Sequence, residues 1–249
     1  MSSHQERKHS RFSASGASRW FACPGSVSLS EGVPSKDSIW SLEGTRAHEI
    51  LEKMISRKTR RISAAEYMAA LASAPPEMIQ FGNSAADFIL AVHREAYDAE
   101  LMVETRVLLD FVHPDAFGSL DAAIVEPFGT LHVLDYKYGK SLVRPENNLQ
   151  FLFYALAVAH RYDWNFKRVR MWVLQPRVRG FDGFTFWEIS IAELRSYVSV
   201  FKNAVDRVIK QPNQYVEGEH CHWCPAKSKC PLKLEGRNEK AMSVFNALP

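Results

Sequence analysis

The sequence predicts an α/β fold: a mixed central sheet flanked by helices, with more helices ahead of it and a cysteine-bearing segment behind it. Three observations predict this. Residues 118–137, GSLDAAIVEPFGTLHVLDYK, run apolar and alternating on both sides of a Pro-Phe-Gly-Thr turn, the pattern of a β-hairpin. Residues 147–161, NNLQFLFYALAVAHR, follow as an Asn-capped helix that is apolar over most of its surface. Further strand-like runs come next, so the order is helices, three strands, helix, strand, which belongs to an α/β core with a mixed sheet.

In chain order, residues 1–12 read as a disordered tail and 13–249 as a single domain. Its helical part runs to residue 100, the sheet core spans 101–210, and the cysteine segment 211–249. Residues 13–30 hold a short helix that starts near Ser15 and stops at Cys23-Pro24. Residues 31–40 read as a loop, and 41–57 as an amphipathic helix with Leu42, Ala47, Ile50, Leu51 and Met54 near helical spacing. Helices are expected over 63–73 and 76–99, and strands over 101–112, 119–126 and 131–138. After the capped helix come strands at 168–175 and 184–189, and a helix at 191–209.

The net charge of +3 permits nucleic-acid binding without arguing for it. No run of 18 apolar residues exists, and the polar start lacks the core of a secretory signal. Both point to a cytoplasmic protein with no membrane span. Four cysteines in a reducing compartment read as metal ligands or free thiols.

Asp135 and Lys137 lie two residues apart on one strand, so both side chains leave the same face. Asp121, on the neighbouring strand, can reach that face. Two carboxylates and a lysine at one spot suit metal-assisted phosphodiester hydrolysis. Carboxylates hold a hard cation through oxygen, the cation lowers the pKa of its water, and a lysine steadies the developing charge. The plain alternative is a surface ion pair worth about 0–1 kcal/mol. Asp135 follows the apolar run LHVL, where an ionised side chain is costly without a partner. By residue type alone, His48 reads as a core or boundary histidine. Gln150 and Tyr154, four apart on one helix face, read as surface polarity beside a boundary tyrosine.

Cys221, Cys224 and Cys230 form a C-x2-C-x5-C knuckle, and Cys23 stands almost at the other end of the chain. Four thiolates suit tetrahedral zinc or an iron–sulfur cluster. Cys23, His220 or His222 can each be the fourth ligand.

Taken together, these pieces resemble the RecB-type branch of the PD-(D/E)xK nucleases, in particular its iron–sulfur members: AddB-like domains, four-cysteine CRISPR adaptation nucleases, and a group of phage nucleases. The resemblance covers about residues 13–231. Gly44-x3-His48 is similar to the family's first motif, Gly118-x-x-Asp121 to its second, Asp135-Tyr136-Lys137 to its D-Y-K motif, and Gln150-x3-Tyr154 to its Q-x3-Y motif. The opening SASGASRWFACPGS is most similar to the phage group. Unlike the helicase-fused relatives, the chain has no G-x4-G-K-[ST] motif.

The resemblance implies a restriction-endonuclease-like core and a divalent-metal-dependent DNA exonuclease. His48, Asp121, Asp135 and the backbone carbonyl of Tyr136 would bind Mg or Mn, with one or two ions. Lys137 would place the attacking water, and Gln150 and Tyr154 would hold the lysine and the strand. A neutral His48 ligand sets an activity midpoint near pH 6.5 if its pKa is ordinary. Cys23, Cys221, Cys224 and Cys230 would carry a 4Fe-4S cluster, with zinc as the alternative. Glu43 and Glu104 are further carboxylates near the site. Candidates for the phosphate path are Arg19, Arg168, Arg170, Arg177 and Arg179, with Trp20 or Trp172 stacking on a base. The phage group implies a recombination role with a partner protein. The competing readings are an endonuclease, a CRISPR-adaptation processing nuclease, and a non-catalytic zinc protein that binds nucleic acid.

Overall fold

The computed structural model of the protein describes residues 10–33, 39–178 and 183–234. Five strands make one mixed sheet in the order β1-β2-β3-β4-β5. They are β1 (Glu100–Leu108), β2 (Phe117–Val125), β3 (Thr130–Tyr136), β4 (Arg168–Leu174) and β5 (Phe184–Ser190). All neighbours are antiparallel except β3 and β4. A parallel pair needs a crossover, and the predicted capped helix supplies it. This bears out the α/β core with a mixed sheet, and is consistent with a restriction-endonuclease-like arrangement.

The helices are α1 (Ala17–Ala22), α2 (Gly25–Ser30), α3 (Ile39–Lys58), α4 (Ala64–Leu71), α5 (Pro76–Glu95), α6 (Leu149–Arg161) and α7 (Ile191–Lys210). One apolar layer packs α1, α6 and α7 on the sheet through Trp20, Phe151, Phe153 and Phe201. The other packs α3 and α5 on the opposite face through Ile50, Leu51, Met54 and Ile89. Every residue of α6 from Phe151 to Ala159 is buried, as its all-round apolar sequence requires. Asn148 caps it by accepting from the Gln150 amide at 3.0 Å.

Several expectations need correction. The tail does not extend to residue 12: Phe12 is fully buried against Trp20, and the Ser10 hydroxyl donates to the Asp115 carbonyl at 2.7 Å. The first nine residues lie outside the described ones. The segment 13–30 holds two helices, because Cys23, extended before Pro24, breaks the first and the chain starts again at Gly25. The helix expected at 41 begins at Ile39. The helix expected to reach 99 ends at Glu95. The first strand ends at Leu108, and residues 109–116 loop into β2, the loop closed by the Leu109 amide on the Ala116 carbonyl.

The sheet is irregular at one place. The β1–β2 ladder runs in constant register except at Glu104, which has no rung. Glu104 adopts a left-handed φ of 43°, uncommon for a residue with a side chain. Across from it, side-chain alternation slips: Leu120 joins Ala123 and Val125 in one layer, while Ala122 and Ile124 face the other. The residue at the slip is Asp121.

Candidate metal centre

The β2–β3 register ends with Ala122 opposite Leu134, so its next step sets Asp121 beside Asp135, just past the last rung of that ladder. The two carboxylates have different surroundings. Asp121 Oδ2 accepts the Tyr136 backbone amide at 2.6 Å, and its Oδ1 lies 3.1 Å from His48 Nδ1. His48 borders the buried stripe of α3, which carries Leu51 and Ile55 one and two turns on. Glu104 Oε1 lies 4.0 Å from the same His48 nitrogen. One donor atom from each of His48, Glu104 and Asp121 falls within 4.8 Å of the others, a set that can hold a cation.

Asp135 is 1% exposed, with Gln150 and Lys137 against its carboxylate. Its Oδ1 accepts from Gln150 Nε2 at 3.1 Å. Its Oδ2 contacts Lys137 Nζ at 2.7 Å, but the pair departs from hydrogen-bond geometry, and this oxygen has no other donor among the described residues. Lys137 Nζ donates to Gln150 Oε1 at 3.0 Å. Gln150 therefore bridges the aspartate and the lysine. The Tyr154 hydroxyl accepts from Gln150 Nε2 at 3.3 Å and donates to the Ser119 carbonyl at 2.6 Å. Tyr154 touches neither Asp135 nor Lys137 through a hydrogen bond; it steadies the glutamine that does. Gly118 has its reason here: a Cβ would sit 3.1 Å from the Tyr154 ring and 3.0 Å from Ala14. Gly44 is different, since a side chain there would meet open space.

The charges are strongly coupled. Burial pulls the His48 imidazolium down, but Asp121, Asp135 and Glu104 outweigh it and raise its pKa to about 9. Burial and the Asp121 charge push Glu104 up to about 7. Burial pushes Asp135 up to about 6 against the pull of Lys137. Burial opposes the Lys137 ammonium, yet Asp135 and Asp121 hold its pKa above the usual lysine value. A bound cation relieves this crowding of carboxylates, so the donor set and the under-donated Asp135 oxygen both fit one.

The site opens into a cleft of about 1880 Å³ whose lining includes His48, Glu104, Asp121, Lys137 and Gln150. No described residue of the expected phosphate path lines it. Trp20 is core, 1% exposed, with its indole N–H donating to the Ser13 carbonyl at 3.0 Å. Trp172 donates to His132 Nδ1 at 3.1 Å and packs on Phe88 and Phe186. Arg19 donates to the Ser26 carbonyl at 3.1 Å. Arg168 and Arg170 both pair with Glu188, at 3.3 and 2.6 Å. Arg177 pairs with Glu43 at 3.1 Å. Arg179 lies outside the described residues. Each described arginine of that set already has an acidic or carbonyl partner. The cleft instead carries Trp40, Trp223, Lys227 and Lys229, which the sequence reading missed. An aromatic residue inside the polar run HCHWC was the available signal for Trp223.

All four cysteines line a second, small cavity of about 20 Å³. Cys23 is buried, accepts the Val216 amide at 3.4 Å, and forms no disulfide. No three of these thiols come within 4.8 Å of one another. No helix among the described residues is long and apolar enough to cross a membrane.

A family model described as "Protein of unknown function (DUF2800)" matches residues 9–248. The chain belongs to the DUF2800 family. Among solved structures, this DUF2800 chain is similar to a protein from Eubacterium rectale that is provisionally assigned as an exonuclease, with 11% identity, 87% of this chain and 89% of that one covered, and a TM-score of 0.47. It is also similar to an alkaline exonuclease from Laribacter hongkongensis, with 14% identity, 78% and 95% covered, and a TM-score of 0.31.

Proposed function

We propose that this protein is a divalent-metal-dependent DNA nuclease of the PD-(D/E)xK type, acting as an exonuclease in phage or prophage DNA recombination. The observation that carries the reading is the circuit Asp135–Lys137–Gln150 built beside the donor set His48, Glu104 and Asp121. His48, Asp121 and Asp135, with the Tyr136 carbonyl, hold Mg or Mn, and Glu104 joins them. When bound, the cation supplies an activated water and neutralises phosphate charge.

The protein's own groups do the rest. Gln150 fixes the Lys137 ammonium through its Oε1 and the Asp135 carboxylate through its Nε2. Asp135 and Asp121 keep Lys137 protonated, so it acts as a donor of charge and hydrogen bonds to phosphate or water, not as a base. Tyr154 locks Gln150 to the β2 backbone, which keeps this geometry from relaxing.

The four cysteines carry a 4Fe-4S cluster in this reading. Four free thiols line one cavity, and thiolates are the ligands such a cluster takes. The deciding experiment is digestion of end-labelled linear, circular and single-stranded DNA with Mg, with Mn, and with neither. The expected result is a ladder receding from ends, none on the circle, and none without metal. No cleavage under any condition overturns the nuclease reading, and nicking of the circle overturns the exonuclease reading.

A further inference from the structure

Tryptophan is usually buried, yet Trp40 is 69% exposed and Trp223 is 77% exposed. Both line the cleft that holds His48, Asp121 and Lys137. Large apolar side chains left in water at one site mark a binding surface. Trp223 lies between Cys221 and Cys224, with its ring set edge-on to His222 at 4.5 Å. The turn that carries the cysteines is therefore also a wall of the cleft. Lys227 and Lys229 extend the same wall, exposed and outside any ion pair with a described residue. The wall built by α3 carries Glu49 and Glu52 instead. Apart from Lys137, the lysines of the cleft thus sit on the cysteine side, and a phosphate backbone is drawn there.

We infer that the cysteine knuckle is the substrate-gripping wall: Trp40 and Trp223 stack on unpaired bases, Lys227 and Lys229 take the phosphates, and the site selects single-stranded DNA over duplex. This rests on the nuclease reading for its substrate and deepens it. An indole needs a free base face. A single strand offers one at every nucleotide, and a duplex only at its terminal pair. Because Trp223 lies between Cys221 and Cys224, a metal held by those thiols would also order the grip.

Fluorescence anisotropy tests the inference, with a labelled oligothymidylate and a blunt duplex of equal length and no added divalent cation. The parent protein should bind the single strand more tightly. Trp40→Ala and Trp223→Ala should each weaken that binding on the order of tenfold, and Trp223→Phe should restore most of it. Lys227→Glu with Lys229→Glu should weaken binding and flatten its salt dependence. Metal content and melting temperature of Trp223→Ala establish that the knuckle is intact; if it is not, Trp40→Ala and Trp223→Phe decide. Parent-like binding by the alanine variants, or tighter binding of blunt duplex, overturns the inference. A protein that cleaves no DNA with Mg or Mn but loses its single-strand grip in these variants ends the nuclease reading and keeps this one. Normal cleavage with unchanged binding in the variants does the reverse.

Discussion

Asp135 is the side chain whose burial is hardest to account for without a task. It is almost fully enclosed, its Oδ2 is met only by the Lys137 ammonium among the described residues, and its pKa is lifted to about 6. Asp135→Ala and Lys137→Ala should each abolish cleavage while the fold survives. Isothermal titration with Mn should separate them, since Asp135→Ala loses affinity and Lys137→Ala retains it. Near-parental turnover in either variant removes the site assignment. His48 gives a second prediction at this scale. A ligand must shed its proton, and the metal-free imidazolium titrates near 9, with Glu104 near 7. Both pKa values are raised, so at pH 7 the cation competes with bound protons. Apparent Mn affinity should climb as pH rises from about 6 to 9, with proton release on binding and a midpoint above the ordinary 6.5. Titration in buffers of different ionisation enthalpy reads that release. His48→Gln should bind more weakly and release fewer protons; equal affinity at both ends of the range makes His48 a boundary histidine.

At the scale of elements, the site depends on how closely α6 approaches β2. Gly118 leaves room for the Tyr154 ring, and Tyr154 anchors Gln150 to the Ser119 carbonyl. Gly118→Ala forces that ring or Ala14 to move, which should cost about 1–3 kcal/mol of stability and displace the Gln150 bridge. Activity should fall further than the lost stability accounts for, and denaturant titration beside kinetics checks this. Gly44→Ala is the contrast. Its Cβ meets nothing, and alanine in a helix interior is favoured over glycine by about 0.5–1 kcal/mol, so this variant should melt higher. A lower melting temperature would mean that α3 needs a backbone freedom its geometry does not display.

The whole molecule is closed by contacts between its two ends. Val216 donates to the Cys23 sulfur, the Gly25 amide bonds the Gln214 carbonyl at 2.8 Å, and Arg207 reaches the Phe21 carbonyl. Cys23 and Cys221 lie 198 positions apart, so a shared cluster closes nearly the whole chain. By analogy with a disulfide, that removes unfolded-state entropy worth on the order of 5 kcal/mol. Many domains have only about 5–15 kcal/mol of net stability. Cys23→Ala should therefore lower both melting temperature and nuclease activity. Anaerobically purified parent should be brown, with iron and acid-labile sulfide in equal amounts. A colourless, active protein with one zinc keeps the clip and removes the cluster. Normal metal content and melting in Cys23→Ala removes the clip and makes His220 or His222 the fourth ligand.

Local pattern alone determined the hairpin and the apolar capped helix that follows it. Period-two alternation and an all-round apolar helix state which faces must be covered, and those constraints survive whatever lies opposite. It also set Asp135 and Lys137 on one face, where the structure pairs them. Only the tertiary structure decided what each charged group would meet. Glu104 came to His48 and Asp121 because the β1–β2 ladder breaks there, and no local pattern announces a missing rung. Arg168, Arg170 and Arg177 were taken by Glu188 and Glu43, and Trp20 by the core. Trp40 and Trp223, 183 positions apart, came to line one cleft. The physical reason is range: periodicity is a property of a few adjacent residues, whereas the partner of a charge or an exposed ring is chosen by the packing of distant elements.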